Sequence, residues 1–161
     1  GTHSTLPYLN SLVPVIEKLS QRFPSLTFNV IANKKPDFAV PALQFTRWSH
    51  ATEIEDLLQF DIGIMPLSND VWTQGKCGFK ALQYMALGIP SVAAPVGVNN
   101  KIIAHGVDGF LCTTETEWIH TLTQLIEDAD LRKKIGNAGR RKVERYYSVS
   151  ANTGNFLSLF R

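Results

Sequence analysis

The sequence predicts an α/β fold, a Rossmann-like doubly wound domain with a mostly parallel sheet and helices on both faces. Short β-rich runs alternate with helix-patterned segments along the chain, and glycine or proline marks most of the junctions. The third strand, Asp61-Ile62-Gly63-Ile64-Met65, stops at Pro66 and leads into a glycine-containing loop that opens a helix. A loop in that place lies at a strand's carboxyl end, where open α/β sheets bind ligands.

Taken in order, Leu6 to Phe23 reads as a helix, with Thr5 as N-cap, Pro7 in its first turn and Pro14 kinking its middle. Thr27 to Ala32 is rich in β-formers and is followed by a polar, proline-bearing loop from Asn33 to Pro41. Leu43 to Thr46 reads as a second strand, and Thr52 to Phe60 as a short helix whose Glu53, Glu55 and Asp56 suit its amino-terminal end. After the third strand, Gly78 to Leu87 reads as a helix terminated by Gly88 in the left-handed region, and Pro90 to Ala94 as the fourth strand. Asn100 to His105 is expected to make one or two helical turns ended by Gly106, with Gly109 to Cys112 a fifth strand after the turn. Thr114 and Glu117 have capping-box spacing for a helix to about Glu127, and Asp130 is expected to cap another to Tyr146. The closing stretch from Val149 to Arg161 ends in Phe156-Leu157-Ser158-Leu159-Phe160, apolar enough to want a surface to pack on.

Size and composition fit one domain over residues 1–161. The chain has 161 residues, 44% hydrophobic and 19% charged, enough for a real core but short for a complete two-domain enzyme. Sixteen basic against 14 acidic residues give a net charge of +2, too near balance to argue for a nucleic-acid partner. Cys77 and Cys112 have no metal-ligand spacing and read as reduced thiols in the cytoplasm. No apolar run approaches the roughly 20 residues that cross a bilayer. The helix from Arg132 to Arg145 is basic, but Glu144 interrupts its charges and Leu131, Ile135 and Val143 recur at helical spacing, so its basic face reads as solvated.

The loop from Ser68 to Gly78 holds the candidate chemistry. Its glycines permit close backbone approach, and Lys76 and Lys80 flank a helix start, a combination that suits a diphosphate. Equally, Gly75 and Gly78 can make a tight turn between solvated lysines, because a lone glycine pair is weak evidence. His105 reads as a charge partner for a helix end rather than a base, and Cys77 as structural without a base beside it.

In order and spacing, four pieces resemble the carboxy-terminal, donor-binding domain of GT-B fold glycosyltransferases of the retaining group called family 4. They are Asp61 to Leu67, Lys80 to Ala93, Pro95 to Asn99 and His105 to Leu111. Asp130-Leu131-Arg132 and Gly136 to Arg140 resemble that family's closing helices, so the resemblance covers nearly the whole chain. It implies a nucleotide-diphosphate sugar bound between two similar domains, with this one holding the nucleotide and most of the donor. No metal or other cofactor is implied beyond that donor substrate. Acceptor contacts, to a sugar or glycan, are implied to come from an amino-terminal domain of the same parent chain. Gly1 to Thr5 resemble the loop just past the first strand of the domain, which implies a truncation there and leaves Ser4 and Thr5 as hydroxyl donors to the diphosphate where the family commonly has an arginine and a lysine.

The family's paired glutamates fall at Gly75 and Gln83. Gln83 can still hydrogen-bond ribose hydroxyls, whereas Gly75 offers the donor sugar no side chain. The resemblance therefore implies diphosphate contacts from Ser4, Thr5, Lys76, Gly78 and Lys80, base and ribose contacts from Trp48, Ser49 and Gln83, and donor-sugar contacts around Asp70, Gly75, Cys77 and Gly97. It implies a hexosyltransferase half that is inactive alone, placed in the cytoplasm, with any association at the inner membrane face made through the missing half. A non-catalytic or degenerate α/β binding module and a sugar-nucleotide epimerase half remain as alternatives.

Overall fold

The computed structural model describes residues 3–40 and 42–160, with side chains from residue 6 onward. A 3-10 helix over His3–Leu12 runs directly into α1 (Val13–Arg22). Pro14 sits in the first turn of α1, where its missing N–H goes unused, so it begins an α-helix instead of kinking one. Thr5 accordingly lies inside the 3-10 helix and not at the expected N-cap position.

The strands are β1 (Phe28–Ala32), β2 (Leu43–Arg47), β3 (Gly63–Met65), β4 (Ser91–Ala93) and β5 (Phe110–Leu111). Among the described residues every strand pair is parallel, as expected for an α/β domain, and the ladders fall into two groups, β1-β2 and β3-β4-β5, where one sheet was expected. Between β2 and β3 lies α2 (Glu53–Leu57), and α3 (Val71–Gln74) and α4 (Phe79–Ala86) separate β3 from β4. The remaining helices are α5 (Asn99–Ile102), α6 (Glu115–Glu127), α7 (Ala129–Tyr146) and α8 (Val149–Ser158).

Successive residues of β4 show that helices cover both faces of the sheet. Val92 packs into a cluster with Ile16 and Leu19 of α1 and Leu122 and Leu125 of α6, while Ala93 packs against Ala81 and Met85 of α4. On the α4 side, α7 lies across the helix through Gly136, where an added Cβ would sit 1.9 Å from the Gly88 carbonyl.

Two termini differ from expectation because capping chemistry was assigned to a neighbouring residue. Asp128, not Asp130, caps α7 by accepting from the Leu131 N–H at 2.8 Å. α5 ends at Ile102, and Ile103 is already extended. His105 therefore forms an isolated bridge with Gly109, and its Nδ1 contacts the Leu111 backbone at 3.1 Å, which ties down a turn and removes its expected role at a helix end. The capping box at Thr114 and Glu117 forms as expected, and the basic face of α7 is solvated apart from Arg132, which donates to the Leu125 and Ile126 carbonyls at the end of α6, and Lys142, which pairs with the buried Asp108 at 2.8 Å. Among the described residues, no helix is long and apolar enough to cross a membrane.

Candidate functional site

β3 delivers the chain to Pro66 at its carboxyl end, and the next turn of structure is α3, within the stretch expected to be a loop. Asp70 caps α3: its Oδ1 accepts from the Thr73 N–H at 2.8 Å, and its Oδ2 accepts from the Tyr8 hydroxyl at 3.0 Å. Those hydrogen bonds, the Thr73 backbone first, hold the Asp70 carboxyl below the usual carboxylate range. Asp70 thus organises the loop through both oxygens.

The glycines divide into two kinds. Gly78 is the N-cap of α4 in the left-handed region (φ 67°), and an added Cβ would meet Ile102 Cδ1 at 2.3 Å. Gly97 is also left-handed (φ 55°) and packs so closely on α3 that a Cβ would lie 2.8 Å from the Gln74 carbonyl oxygen. The loop after β4 is thereby pressed against the loop after β3. Gly75 differs: it is right-handed, and a Cβ there meets only the Trp72 carbonyl, at 3.5 Å. No steric or conformational demand requires glycine at that position.

Above this backbone, Lys80 and Gln83 of α4 and Trp48, just past β2, converge on Glu53 of α2. Lys80 Nζ lies 2.8 Å from Glu53 Oε1 and 2.7 Å from Gln83 Oε1, and Gln83 Nε2 donates to Glu53 Oε1 at 3.3 Å. The Lys80 hydrogen bond is the main force holding the Glu53 carboxyl below its ordinary value; partial burial opposes it, and hydrogen bonds from Trp48 and Gln83 add to it. Trp48 and Gln83, assigned separately to base and ribose, are thus brought into one cluster. Lys80 enters it already paired, which leaves its ammonium less available to a phosphate than the sequence suggested.

Glu53 was missed as a site residue because it lies thirty positions ahead of Gln83 and reads locally as an acid at a helix start. The unmatched Lys80 and Gln83 one turn apart on α4 are the only sequence trace of a polar partner above that helix. Lys76 forms no ion pair among the described residues; its Nζ lies 5.2 Å from the centre of the exposed Trp72 ring. Cys77 is exposed beside it. Ser49 accepts from the Ala51 N–H at 3.3 Å and stays apart from the Glu53 cluster. The side chains of Ser4 and Thr5 lie outside the described residues. Among the described residues, no three His, Cys, Asp or Glu side chains are grouped to hold a metal.

Fold and site together define a Rossmann-like domain with a glycine-turned helix start at the carboxyl end of its strands. The profile of the family described as Glycosyl transferases group 1 matches residues 41–142, more than half of the chain, and the chain belongs to that family. Solved structures share its fold. The C-terminal domain of a glycosyl transferase group 1 family protein (LpcC) from Francisella tularensis is 20% identical with a TM-score of 0.69, over 90% of this chain and 80% of that one. Anabaena Alr3699/HepE in complex with UDP and glucose is 20% identical with a TM-score of 0.73, over 99% of this chain and 47% of that one. A variant of S. aureus TarM, in complex with fondaparinux, alpha-GlcNAc-glycerol and UDP, is 15% identical with a TM-score of 0.72, over 95% of this chain and 32% of that one. The chain thus spans most of the first of these and less than half of the other two.

Proposed function

We propose that the chain is the donor-binding half of a retaining glycosyltransferase that moves a hexosyl group from a nucleotide diphosphate to a sugar or glycan acceptor. The observation that carries this reading is the start of α4, where Gly78 in its left-handed conformation opens the helix beside the close-packed Gly97 loop. Free N–H groups and the positive end of the helix dipole favour an anion there. Lys76, without an ion pair among the described residues and with its ammonium over the Trp72 ring, adds a positive charge. In this reading these groups bind the diphosphate and offset the charge that develops on it as the sugar departs. Gln83 and Glu53 face the ribose, Trp48 the base, and the Gly97 backbone the donor sugar. Acceptor contacts come from a second domain, so the 161-residue chain binds nucleotide and does not turn it over.

The test is calorimetric titration of the chain with UDP, GDP and ADP. UDP comes first because the Anabaena HepE structures contain UDP and UDP-glucose. One diphosphate is expected to bind, and Lys76→Ala should weaken it by about tenfold, roughly 1.4 kcal/mol, while changing binding of the parent nucleoside little. Removing divalent ions with EDTA should leave that affinity unchanged. An absence of binding at millimolar nucleotide would sink the reading and favour a non-catalytic module.

A further inference from the structure

The two lysines beside the start of α4 are fastened in different ways. Lys80 is fastened by an ion pair, its Nζ 2.8 Å from Glu53 Oε1 and 2.7 Å from Gln83 Oε1. A carboxylate that close offsets the ammonium charge, so little of it acts on a third group. Lys76 has no carboxylate partner among the described residues; its Nζ stands 5.2 Å from the centre of the Trp72 ring, within the range of a cation–π contact. An aromatic face attracts the ammonium through the ring quadrupole and carries no net charge of its own. Such a contact localises a lysine and leaves its positive charge in place for an anion, along with N–H donors that the ring does not use.

The backbone beneath this pair is held from several sides. Trp72 and Lys76 are one turn apart, and the chain between them stays right-handed through Gly75, with the Lys76 N–H donating to the Thr73 carbonyl at 3.1 Å. That keeps the two side chains on one side of the turn. Thr73 is fully buried and closes the capping box with Asp70, which in turn accepts from Tyr8, while Gly97 presses on Gln74. On this fixed turn Trp72 is 63% exposed and belongs to none of the apolar clusters of the core, so core packing does not account for it. Lys76, Gly78 and Lys80 line one cavity, and Trp72 does not. The ring is thus placed to act on the ammonium and not on a ligand in the cavity.

We propose that Trp72 is a positioning residue, whose ring holds the Lys76 ammonium, charge intact, at the edge of that cavity as the cation that meets a diphosphate. That role rests on the reading of the α4 start as a diphosphate site. The two lysines then do different things: Lys80 braces α2 against α4 through Glu53, and Lys76 faces the anion. An unheld lysine has a long flexible stem to order when an anion binds, and holding the ammonium beforehand removes part of that cost.

A double-mutant cycle in Trp72 and Lys76, read by calorimetric titration with UDP, GDP and ADP, tests the role. Trp72→Leu should fold like the parent, since the indole packs in no core cluster. For whichever diphosphate binds, Trp72→Leu is expected to weaken binding about threefold, and Trp72→Phe by less than about twofold because it keeps an aromatic face. Once Lys76 is alanine, Trp72→Leu should have no further effect. Equal losses in both backgrounds, or equal losses from leucine and phenylalanine, would overturn the role. So would tighter binding by Trp72→Leu, which would show the ring drawing the ammonium away from its anion. A second measurement needs no nucleotide: in the free chain the Lys76 Cε protons should resonate upfield of those of other lysines, under the ring current of Trp72, and return to the common position in Trp72→Leu. Absence of that displacement overturns the role whether or not nucleotide binds. If the displacement is present and none of the three nucleotides binds at millimolar concentration, the diphosphate reading fails and the role of Trp72 fails with it. If a nucleotide binds and the cycle is additive, the role of Trp72 alone is lost.

Discussion

Glu53 ties α2 to α4 through one carboxylate oxygen shared by Lys80 and Gln83, so its charge state decides whether that link exists. Because Lys80 holds its folded pKa below the ordinary value, the folded chain binds fewer protons there than the unfolded chain. The contribution is therefore fully present above the usual glutamate range and is lost as pH falls through the lowered folded value. Glu53→Gln should melt below the parent at pH 7, and the gap should narrow as pH falls from the usual glutamate range through the lowered folded value; a gap independent of pH would show that the charge is immaterial. The glycines make a sharper contrast. Gly75→Ala should be neutral or stabilise by up to about 1 kcal/mol, since its conformation suits alanine and its Cβ has space. Gly97→Ala should cost about 2 kcal/mol or more, from the left-handed backbone and the Gln74 carbonyl 2.8 Å away. Denaturant midpoints of the two variants check both. In sequence, Gly78 was legible because a turn before a helix leaves a local mark. Glu53 was not, since the pairing that makes it part of the site is between distant elements, and Gly75 looked like its neighbour Gly78 although only the latter needs to be glycine.

Among elements, the contact of α7 on the end of α4 gives the strongest test of packing. Alanine in a helix interior ordinarily improves on glycine by about 0.5–1 kcal/mol. At Gly136 the sign should reverse, because the new Cβ would stand 1.9 Å from the backbone oxygen of Gly88, which has no flexible side chain to move aside. Gly136→Ala is expected to lower stability by about 2–3 kcal/mol in chemical denaturation; a stabilised variant would show that α7 does not lie this close in solution. The same region shows what a sequence reveals about elements. The box of Thr114 and Glu117 was readable because its two hydrogen bonds join residues three apart, and Gly88 because its left-handed conformation (φ 74°) follows directly from a helix stop. The 3-10 helix over His3–Leu12 and the single turn of α3 were not readable. Both depend on tertiary support: the Tyr8 hydroxyl reaches Asp70 from the first of these segments to the cap of the second, at 3.0 Å. Pro14 carried a true signal of change that local rules attached to a kink instead of a start.

At the scale of the molecule, the carboxy-terminal helix α8 leaves apolar side chains open to solvent. The fold class was legible because alternation of strand and helix is a property of the whole sequence, whereas the grouping of the strands into β1-β2 and β3-β4-β5 among the described residues depends on which strand edges meet and leaves no local pattern. α8 buries none of its residues; Val149 is 87% exposed, Leu159 77% and Phe160 74%. It rests on the end of α7 through polar contacts, among them the Asn152 amide donating to the Tyr146 carbonyl at 2.9 Å. Little apolar area is therefore lost from the core if it is removed, while a contiguous exposed apolar surface disappears. Deleting residues 149–161 should leave the melting midpoint within about 2 °C of the parent, and should reduce concentration-dependent self-association in light scattering. A fall in the midpoint together with unchanged self-association would mean that α8 packs on the body of the domain in solution.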